Sequence, residues 1–267
     1  MASDFGVGAA LVAPVHILIT GASSGIGAAL ARCYAREGTR LSLVARNEER
    51  LDQVARECRT AGARTEWKTI DVVQSEAMRA WIEECDGQQP INMVIANAGI
   101  GGDKVIAPAA GEPLLIAREI VETNILGVTN SVIPLLPRFV ARGRGHVVIM
   151  SSLAALVGLP DAPLYSASKA AVRVYGHGLR RLLGPKGIRV TVVCPGFVAT
   201  PMSASVPGHR PFLWSAERAA ARIVTGLGRG KREISFPWQL AALTRFAAAL
   251  PPSLIDPLLL RTRRGRT

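Results

Sequence analysis

Tyr165 and Lys169 are the two residues whose types and spacing suggest chemistry most directly. They are four positions apart, so on a helix they share one face, one turn apart. An ammonium group beside a phenol favours the phenolate, so the pair predicts that the pKa of Tyr165 lies below its usual value of about 10, as suits a general acid or base. The alternative interpretation of the pair is an ordinary solvated helix face.

Ser152 supplies a hydroxyl thirteen residues before Tyr165. It follows the apolar run 146–150, which predicts a buried strand, and the carboxyl ends of strands are where an open α/β sheet presents catalytic groups. We therefore expect Ser152 and Tyr165 to lie at the same edge of a sheet.

A glycine-rich segment, residues 20–27 (TGASSGIG), lies between a short apolar run at 15–19 and a predicted helix at about 26–37. Strand, glycine loop and helix in this order open a nucleotide-binding βαβ unit. Gly21 would permit the tight turn, Gly25 would let backbone N–H groups approach a pyrophosphate, and Gly27 would let helix and strand pack closely. The helix N-terminus adds partial positive charge for the phosphates. Ordinary turns also use glycines, and this is the alternative.

The ends of the next predicted strands carry further candidates. The second strand, 40–45, ends before Arg46, which can accept the 2′-phosphate of NADP(H) where an acidic residue would select NAD(H); an exposed helix-cap arginine is the alternative. Asp71 follows the third strand, 65–70, and could accept a hydrogen bond from an adenine amino group or cap the helix that begins near Ser75. The fourth strand, 91–96, runs into the small residues Asn97, Ala98 and Gly99, which suit a backbone passing beside a flat ring.

Strands and helices alternate along the sequence. Helical patterns at 112–142 contain Asn124, a poor helix former whose presence indicates a role other than helix formation. The fifth, sixth and seventh strands are predicted at 146–150, 188–193 and 233–236. This alternation predicts an α/β fold, a Rossmann-type doubly wound parallel sheet of about seven strands with helices on both faces. We predict one domain over residues 1–267, with residues 237–267 as a C-terminal helical extension.

Composition narrows the class of protein further. With 267 residues, 49% of them hydrophobic, the chain can bury one large core. The net charge of +12 includes four arginines in the last seven residues, but only 5% of residues are aromatic and no basic stripe is interleaved with them, so we predict no nucleic-acid partner.

The four widely spaced cysteines predict no metal site and reduced thiols in a cytoplasmic compartment. We expect no signal peptide in residues 1–14 and no membrane-spanning helix.

Taken together, these motifs resemble those of the short-chain dehydrogenase/reductase family. They stand in the family's order: TGASSGIG at 20–27, Asp71, NAG at 97–99, Asn124, Ser152, YSASK at 165–169, and CPG at 194–196 with a threonine at 200. The resemblance covers about residues 15–200 and implies a one-domain Rossmann fold and an enzyme that interconverts a carbonyl and an alcohol. Ala96 stands where the family often has a second asparagine, and the chain continues beyond the seventh strand, where many relatives end.

The resemblance also implies a role for each site residue. Tyr165 is the proton donor to a substrate carbonyl in reduction, or the base in oxidation, and Ser152 hydrogen-bonds the same oxygen. Lys169 lowers the pKa of Tyr165 and binds the nicotinamide ribose, and Asn124 holds a water in a proton relay toward Lys169. The implied NADP(H)-binding residues, besides Tyr165 and Lys169, are Gly21, Ser23, Ser24, Gly25, Ile26, Gly27, Arg46, Asp71, Val72, Asn97, Ala98, Gly99, Pro195, Gly196, Val198 and Thr200.

Two segments that usually face the substrate in this family are mostly apolar here. Because they carry few charges, with Arg210 the main exception, we predict a lipophilic ketone, aldehyde or secondary alcohol as the substrate. Their apolar residues are Met202, Val206, Pro207, Phe212 and Trp214 after Thr200, and Leu153, Leu156, Val157, Leu159 and Leu164 before Tyr165.

Partners and a rival function complete the predictions. We expect a homodimer or homotetramer. The tail at 238–260 is apolar apart from Arg245 and Asp256, and arginines follow it. It predicts either packing at a dimer interface or over the pocket, or an amphipathic element on an anionic membrane surface. The rival function is a catalytically idle protein of the same fold that senses nucleotides or regulates a partner, but Asn124, Ser152, Tyr165 and Lys169 argue against it.

Overall fold

A central sheet of seven parallel strands organises the computed structural model, which describes residues 15–101, 111–206 and 209–264. The sheet strands are β1 (Val15–Thr20), β2 (Thr39–Ala45), β3 (Arg64–Thr69), β4 (Met93–Ala96), β5 (Gly145–Met150), β6 (Ile188–Pro195) and β9 (Glu233–Phe236). Their spatial order is β3-β2-β1-β4-β5-β6-β9. Strand order reverses between β1 and β4, and the crevice at such a reversal is where open α/β sheets bind ligands. A second small sheet pairs β7 (Val198–Ala199) with β8 (Trp214–Ser215).

Helices cover both faces of the central sheet. They are α1 (Gly25–Tyr34), α2 (Glu48–Thr60), α3 (Ser75–Gln88), α4 (Leu114–Val121), α5 (Gly127–Val132), α6 (Leu136–Arg142), α7 (Pro163–Leu183), α8 (Pro201–Ala204), α9 (Ala216–Gly228), α10 (Trp238–Ala249) and α11 (Pro252–Arg264). Because alternate strand residues point to opposite faces, Ile17 and Ile19 pack with α1, α2 and α9, whereas Leu18 packs with α3, α5, α6 and α7. Two apolar cores therefore lie one on each side of the sheet.

Local sequence explains where individual helices begin and which face they bury. Helix α2 begins after Asn47, whose side chain accepts a hydrogen bond from Arg50 N at 2.9 Å. Two glutamates occupy its first turn, where the helix dipole favours negative charge. Its buried residues follow helical spacing and form one stripe against the sheet: Leu51, Val54, Ala55 and Cys58.

The predicted fold is confirmed, and the boundaries of the seven sheet strands differ from the predicted ones by at most two residues. Helix α1 ends at Tyr34, three residues early, because the chain turns through Gly38 at a φ of 77° to enter β2. The helical stretch predicted at 112–142 is divided by a π turn and a 3-10 turn. Strands β7 and β8 are too short to give a sequence pattern. None of the helices in the described ranges is long and apolar enough to cross a bilayer.

Candidate active site

Helix α7 brings Tyr165 and Lys169 to the carboxyl end of β5. It begins at Pro163, a residue favoured at helix starts because its φ is already helical. Lys169 is 5% exposed, and its Nζ lies 5.9 Å from the centroid of the Tyr165 ring. Lys169 Nζ donates to the Met150 carbonyl at 3.3 Å, and Ser151 Oγ donates to the Lys169 carbonyl at 2.7 Å. These two bonds fix the helix to the end of the strand.

Ser152 lies beside Tyr165, as the sequence predicted. It stands at the start of a 3-10 turn, Leu153–Ala155, and its Oγ accepts a hydrogen bond from Ala154 N at 3.1 Å. The Ser152 side chain lies close enough to the Tyr165 hydroxyl to lower the pKa of that phenol. Two hydroxyls therefore converge at one point at the end of β5.

Burial sets the pKa of both ionisable groups on α7. It lowers the pKa of Lys169 to about 8, because the ammonium loses hydration, and the Cys194 thiol opposes that shift. Burial raises the pKa of Tyr165, and the Ser152 side chain opposes that shift. The lowered pKa predicted for Tyr165 is therefore wrong in direction, because the penalty for burying a phenolate outweighs the opposing effect of the Ser152 side chain. Tyr165 is a protonated phenol at neutral pH.

Asn124 lies in a π turn, Glu122–Leu126, between α4 and α5. Such turns are rare and occur mostly at functional sites. The side chain is fully buried: Oδ1 accepts from Ile100 N at 2.8 Å, and Nδ2 donates to the Ile100 carbonyl and to Ser168 Oγ, both at 3.1 Å. Asn124 thus joins the segment after β4 to α7. Both side-chain amide hydrogens of Asn124 are engaged, so a relay water would have to donate to an oxygen of Asn124. The role of Asn124 in a proton relay stays a prediction.

Gly99 lies between Asn124 and Lys169. A Cβ at this position would stand 3.1 Å from both Asn124 Oδ1 and Lys169 Nζ, which is closer than most real Cβ contacts. The glycine therefore lets the backbone after β4 run directly beside the two side chains. That these small residues lie beside a flat ring stays a prediction.

The glycine loop is tightly packed and contains two residues with a left-handed backbone. Gly21 and Gly25 have left-handed φ values of 67° and 55°, and a Cβ on Gly27 would overlap the Gly21 carbonyl. Asn97 Nδ2 donates to the carbonyls of Thr20 and Gly21, at 2.9 and 3.2 Å. Helix α1 begins at Gly25, and its first N–H groups and dipole suit an anion. The residues present therefore fit the phosphates of a dinucleotide.

Arg46 and Asp71 meet at the ends of β2 and β3. Arg46 Nη1 lies 3.6 Å from Asp71 Oδ2, and the arginine side chain is 62% exposed. The helix-cap alternatives do not hold: Asn47 caps α2, and Asp71 accepts from Val73 N at 3.2 Å while α3 begins after Gln74. Both side chains therefore lie together at the carboxyl ends of β2 and β3, and their role toward the adenine half of a cofactor stays a prediction.

Two predicted cofactor residues can offer only their backbone. Val72 is buried, and a Cβ on Gly127 of α5 would meet its side chain, so Val72 packs into the core. Val198 is likewise buried in the core on the other face of the sheet. Thr200 does reach the glycine loop, since a Cβ on Gly25 would stand 2.9 Å from Thr200 Cγ2. The segment 195–200 and the glycine loop therefore contact each other at Thr200.

Some apolar residues predicted to face the substrate belong to the core instead. Trp214 stacks on Phe236, with ring centroids 5.1 Å apart, and packs against the core that contains α9. Leu153 is buried with Cys194 and Ala241. Arg210 donates from Nη1 to the Ser203 carbonyl at 2.8 Å. Pro207 lies outside the described residues.

The sequence reading missed two hydroxyls that hold the site together. Thr20 Oγ1 accepts hydrogen bonds from Asn97 N and Ala98 N, both at 3.1 Å, and so ties the segment after β4 to the glycine loop. Ser168 Oγ accepts from Asn124. Both residues lie inside motifs that were already identified, TGASSGIG and YSASK, and their position there was the available signal.

Comparisons with known proteins agree with this geometry. A family model described as short chain dehydrogenase matches residues 15–210. An uncharacterized oxidoreductase of Myxococcus xanthus is 38% identical over 247 residues, covering 92% of this chain and 96% of that protein. A short-chain dehydrogenase from Sphingobium yanoikuyae in complex with NADPH has a TM-score of 0.78 at 27% identity, over 94% of each chain. Actinorhodin polyketide ketoreductase with NADPH has a TM-score of 0.77 at 28% identity, covering 85% of this chain and 97% of that one.

The family match spans the glycine loop, the π turn with Asn124, both hydroxyls at the end of β5 and the segment through α8. The relatives are similar in length and the solved structures share the sheet and its flanking helices. The chain therefore belongs to the short-chain dehydrogenase/reductase family, and is an NAD(P)-dependent oxidoreductase.

Proposed function

We propose that this protein interconverts a carbonyl group and an alcohol with NADP(H), acting on a lipophilic ketone, aldehyde or secondary alcohol. The observation that carries the proposal is the convergence of Ser152, Tyr165 and Lys169 at the carboxyl end of β5. They lie beside the segment 97–99, which itself contacts the glycine loop. A catalytically idle protein would have no need for this convergence.

The three side chains act on the carbonyl oxygen. When bound, the nicotinamide supplies the hydride in reduction or accepts it in oxidation. The hydroxyls of Ser152 and Tyr165 donate to the substrate oxygen and orient it. Tyr165 is a protonated phenol at neutral pH, so it is ready to donate a proton in the reduction direction. Lys169, with a pKa of about 8, keeps an ammonium one helical turn away and stabilises the tyrosinate that results.

Arg46 supports NADP(H) over NAD(H). Its guanidinium is mostly exposed at the end of β2, and Asp71 holds it from one side. A guanidinium binds phosphate through two parallel hydrogen bonds, which suits the 2′-phosphate of NADP(H). The preceding residue, Ala45, offers no carboxylate to the ribose of NAD(H).

The segment after Thr200 supports a lipophilic substrate. The apolar side chains of Met202, Phe212 and Leu213 are exposed there. Exposed apolar side chains grouped in this way are typical of a ligand-binding surface. Arg210, the main charged residue of the segment, is already bonded to the Ser203 carbonyl. A carboxylate substrate therefore has little to bind in this segment.

Tyr165→Phe tests the proposed function. We would measure NADPH and NADH binding by fluorescence and then NADPH oxidation against a panel of hydrophobic and polar carbonyls. We expect turnover with NADPH that favours the hydrophobic carbonyls and falls at least about 100-fold in Tyr165→Phe, with NADPH affinity unchanged. Faster turnover of charged carbonyls than of hydrophobic ones would contradict the proposed substrate class. NADPH binding without turnover of any carbonyl in the panel would favour the nucleotide-sensing alternative.

We also propose that the protein forms a homodimer or homotetramer through α7 and the helical stretch 126–140. Apart from Arg181, the exposed residues of α7 are small or apolar at helical spacing: Pro163, Ala167, Ala171, Val174, Gly178 and Leu182. Beside them, Leu126, Ile133 and Val140 are exposed at seven-residue intervals. Val174→Glu would place a charge in this surface, and light scattering should then give the molecular mass of a monomer. A molecular mass unchanged from the wild type would exclude this surface as the oligomer interface.

The C-terminal helices expose a second apolar surface, formed by Trp238, Leu243 and Phe246 of α10 and Leu254 and Leu260 of α11. We propose that it is covered either by a second copy of the chain or by an anionic membrane, to which the arginines after Leu260 would add attraction. Co-sedimentation with anionic vesicles that disappears on deletion of residues 238–267 would select the membrane. The cytoplasmic location stays a prediction.

A further inference from the structure

Gly101, Met202 and Tyr165 meet at one corner of the site. A Cβ on Gly101 would lie 2.9 Å from Met202 Sδ, 3.3 Å from Met202 Cγ and 3.2 Å from Tyr165 Cε2. The thioether of Met202 thus occupies the space that a side chain at position 101 would take. Cε2 is bonded to the ring carbon that bears the hydroxyl, so this corner adjoins the proton donor.

Both sides of this contact are held in place by other residues. Gly101 follows Ile100, whose N–H and carbonyl are both bonded to Asn124. Met202 lies in α8, which begins with a capping box between Thr200 and Ser203. Arg210 then binds the Ser203 carbonyl. The two backbones are therefore tethered on either side of the contact, and the flexible Met202 side chain is the part that adjusts most readily.

We propose that Gly101 and Met202 set the size limit for one of the two substituents of the carbonyl substrate, and that they admit a bulky apolar group there. This inference rests on the function proposed above. The substrate oxygen has to reach the Tyr165 hydroxyl, so one substituent lies along the ring edge that Met202 borders. An unbranched thioether adapts readily to a neighbouring group. Because Gly101 has no side chain, Met202 can lie back against the backbone and leave space for the substituent.

Gly101→Ala and Met202→Ala change this corner in opposite directions. The backbone at Gly101 is outside the left-handed region, so alanine fits its conformation but pushes the thioether into the pocket. Met202→Ala removes the thioether and enlarges the pocket. The measured quantity is kcat/KM for benzophenone divided by kcat/KM for butanone. We expect this ratio to fall about tenfold or more in Gly101→Ala and to rise about tenfold in Met202→Ala.

The double variant tests the contact itself. Once Met202 is alanine, the methyl group at position 101 has no thioether to displace, so Gly101→Ala should then change the ratio less than twofold. The affinity of benzophenone for the enzyme with NADP⁺ bound should follow the same order as the ratios. Gly87→Ala is the matched control, because a Cβ at Gly87 has no neighbour within 4 Å. Melting temperature and NADPH affinity identify any variant that is misfolded.

The possible outcomes separate the inference from the function on which it rests. Ratios that stay within twofold of wild type in both single variants, or effects that simply add in the double variant, would overturn the size limit while leaving the oxidoreductase intact. If the wild-type enzyme bound NADPH but reduced no carbonyl, the proposed function itself would fail and the size limit with it.

Discussion

The two ends of the central sheet use polar side chains in opposite ways. In the amino-terminal half of the strands, polar groups are bonded to one another across strands. His16 Nε2 lies 2.7 Å from Ser42 Oγ, which donates to Glu66 Oε1 at 2.6 Å, and Arg40 binds the same carboxylate. Asp86, nearly buried, accepts from Arg138, Arg142 and Ile91 N.

At the carboxyl end, polar groups are held by the backbone and keep capacity for a ligand. Lys169 can donate three hydrogen bonds, and within the described chain one is formed, to the Met150 carbonyl. Ser152 Oγ accepts from Ala154 N, so its own hydrogen is left to donate beside the Tyr165 hydroxyl. The comparison teaches that polar side chains brought together form part of the structure when they bond to one another, as His16, Ser42 and Glu66 do, and form a site when they keep hydrogen-bonding capacity for a ligand. Four substitutions test this difference.

Lys169→Met should have the largest effect. We expect kcat/KM to fall about 10²- to 10⁴-fold, because the ammonium beside Tyr165 is lost. The same variant should be more stable at pH 7 by about 1–3 kcal/mol, because folding no longer buries an ammonium. In the wild type the unfolded chain binds more protons than the folded one between about pH 8 and 10.5, so stability rises with pH in that window, and the variant should lack this rise. Urea unfolding and steady-state kinetics measure both; a less stable or fully active variant would contradict us.

Asp86→Asn should lower stability and leave activity unchanged, the reverse of Lys169→Met. Burial alone would raise the pKa of Asp86, but hydrogen bonds from Arg142 and Ile91 N outweigh it and hold that pKa below its usual value. Removing the charge leaves two arginines against an amide, which should lower the free energy of unfolding by about 2–4 kcal/mol with kcat/KM unchanged. Glu76→Gln, which removes the exposed partner of Arg79, is the control and should lower it by less than about 1 kcal/mol. A fall in kcat/KM measured on the folded Asp86→Asn protein would contradict the distinction between the two ends of the sheet.

His146→Gln tests the amino-terminal half by pH. Burial lowers the pKa of His146 to about 3, and its Nε2 lies 2.9 Å from Thr191 Oγ1. The unfolded chain binds more protons between about pH 3 and 6.5, so the stability present above pH 6.5 is lost as the pH falls through that window. From pH 6.5 to 5 this residue should account for about 2 kcal/mol, and the glutamine variant should lose that much less. Identical slopes in the two proteins would show that His146 is not buried in the neutral form.

Arg46→Ala should have the smallest effect. We expect about tenfold weaker binding of NADPH, or about 1.4 kcal/mol, and binding of NADH unchanged within twofold. Fluorescence titration with both cofactors measures it. Equal losses for NADPH and NADH would remove the argument for NADP(H), while leaving the rest of the site as described.

The fold and most of the site were predictable because their signals are local. Most strands are short apolar runs, and the helices show a periodic spacing of apolar residues. Gly21 and Gly25 indicate the tight turn of the glycine loop. The order of strands places the ends of β1, β4 and β5 together, so residues far apart in sequence were expected at one edge and were found there.

The remaining features depend on contacts that no local pattern contains. The π turn is held by bonds between Asn124 and Ile100, which are 24 residues apart. The direction of the pKa shift of Tyr165 depends on how deeply the ring is buried. An apolar residue looks the same in sequence whether it faces a substrate or a core, and Trp214 and Leu153 were misplaced for that reason.

The π turn also makes the length of one helical stretch critical to a single residue. A turn of this type is an α-helical turn with one residue inserted. Deleting one residue from 122–126 would restore a regular helix and rotate α4 by about 100° relative to α5. Ile120 would then leave its cluster with Ile100 and Ala162. The residue count of this stretch is therefore fixed by the direction in which the amide of Asn124 must point.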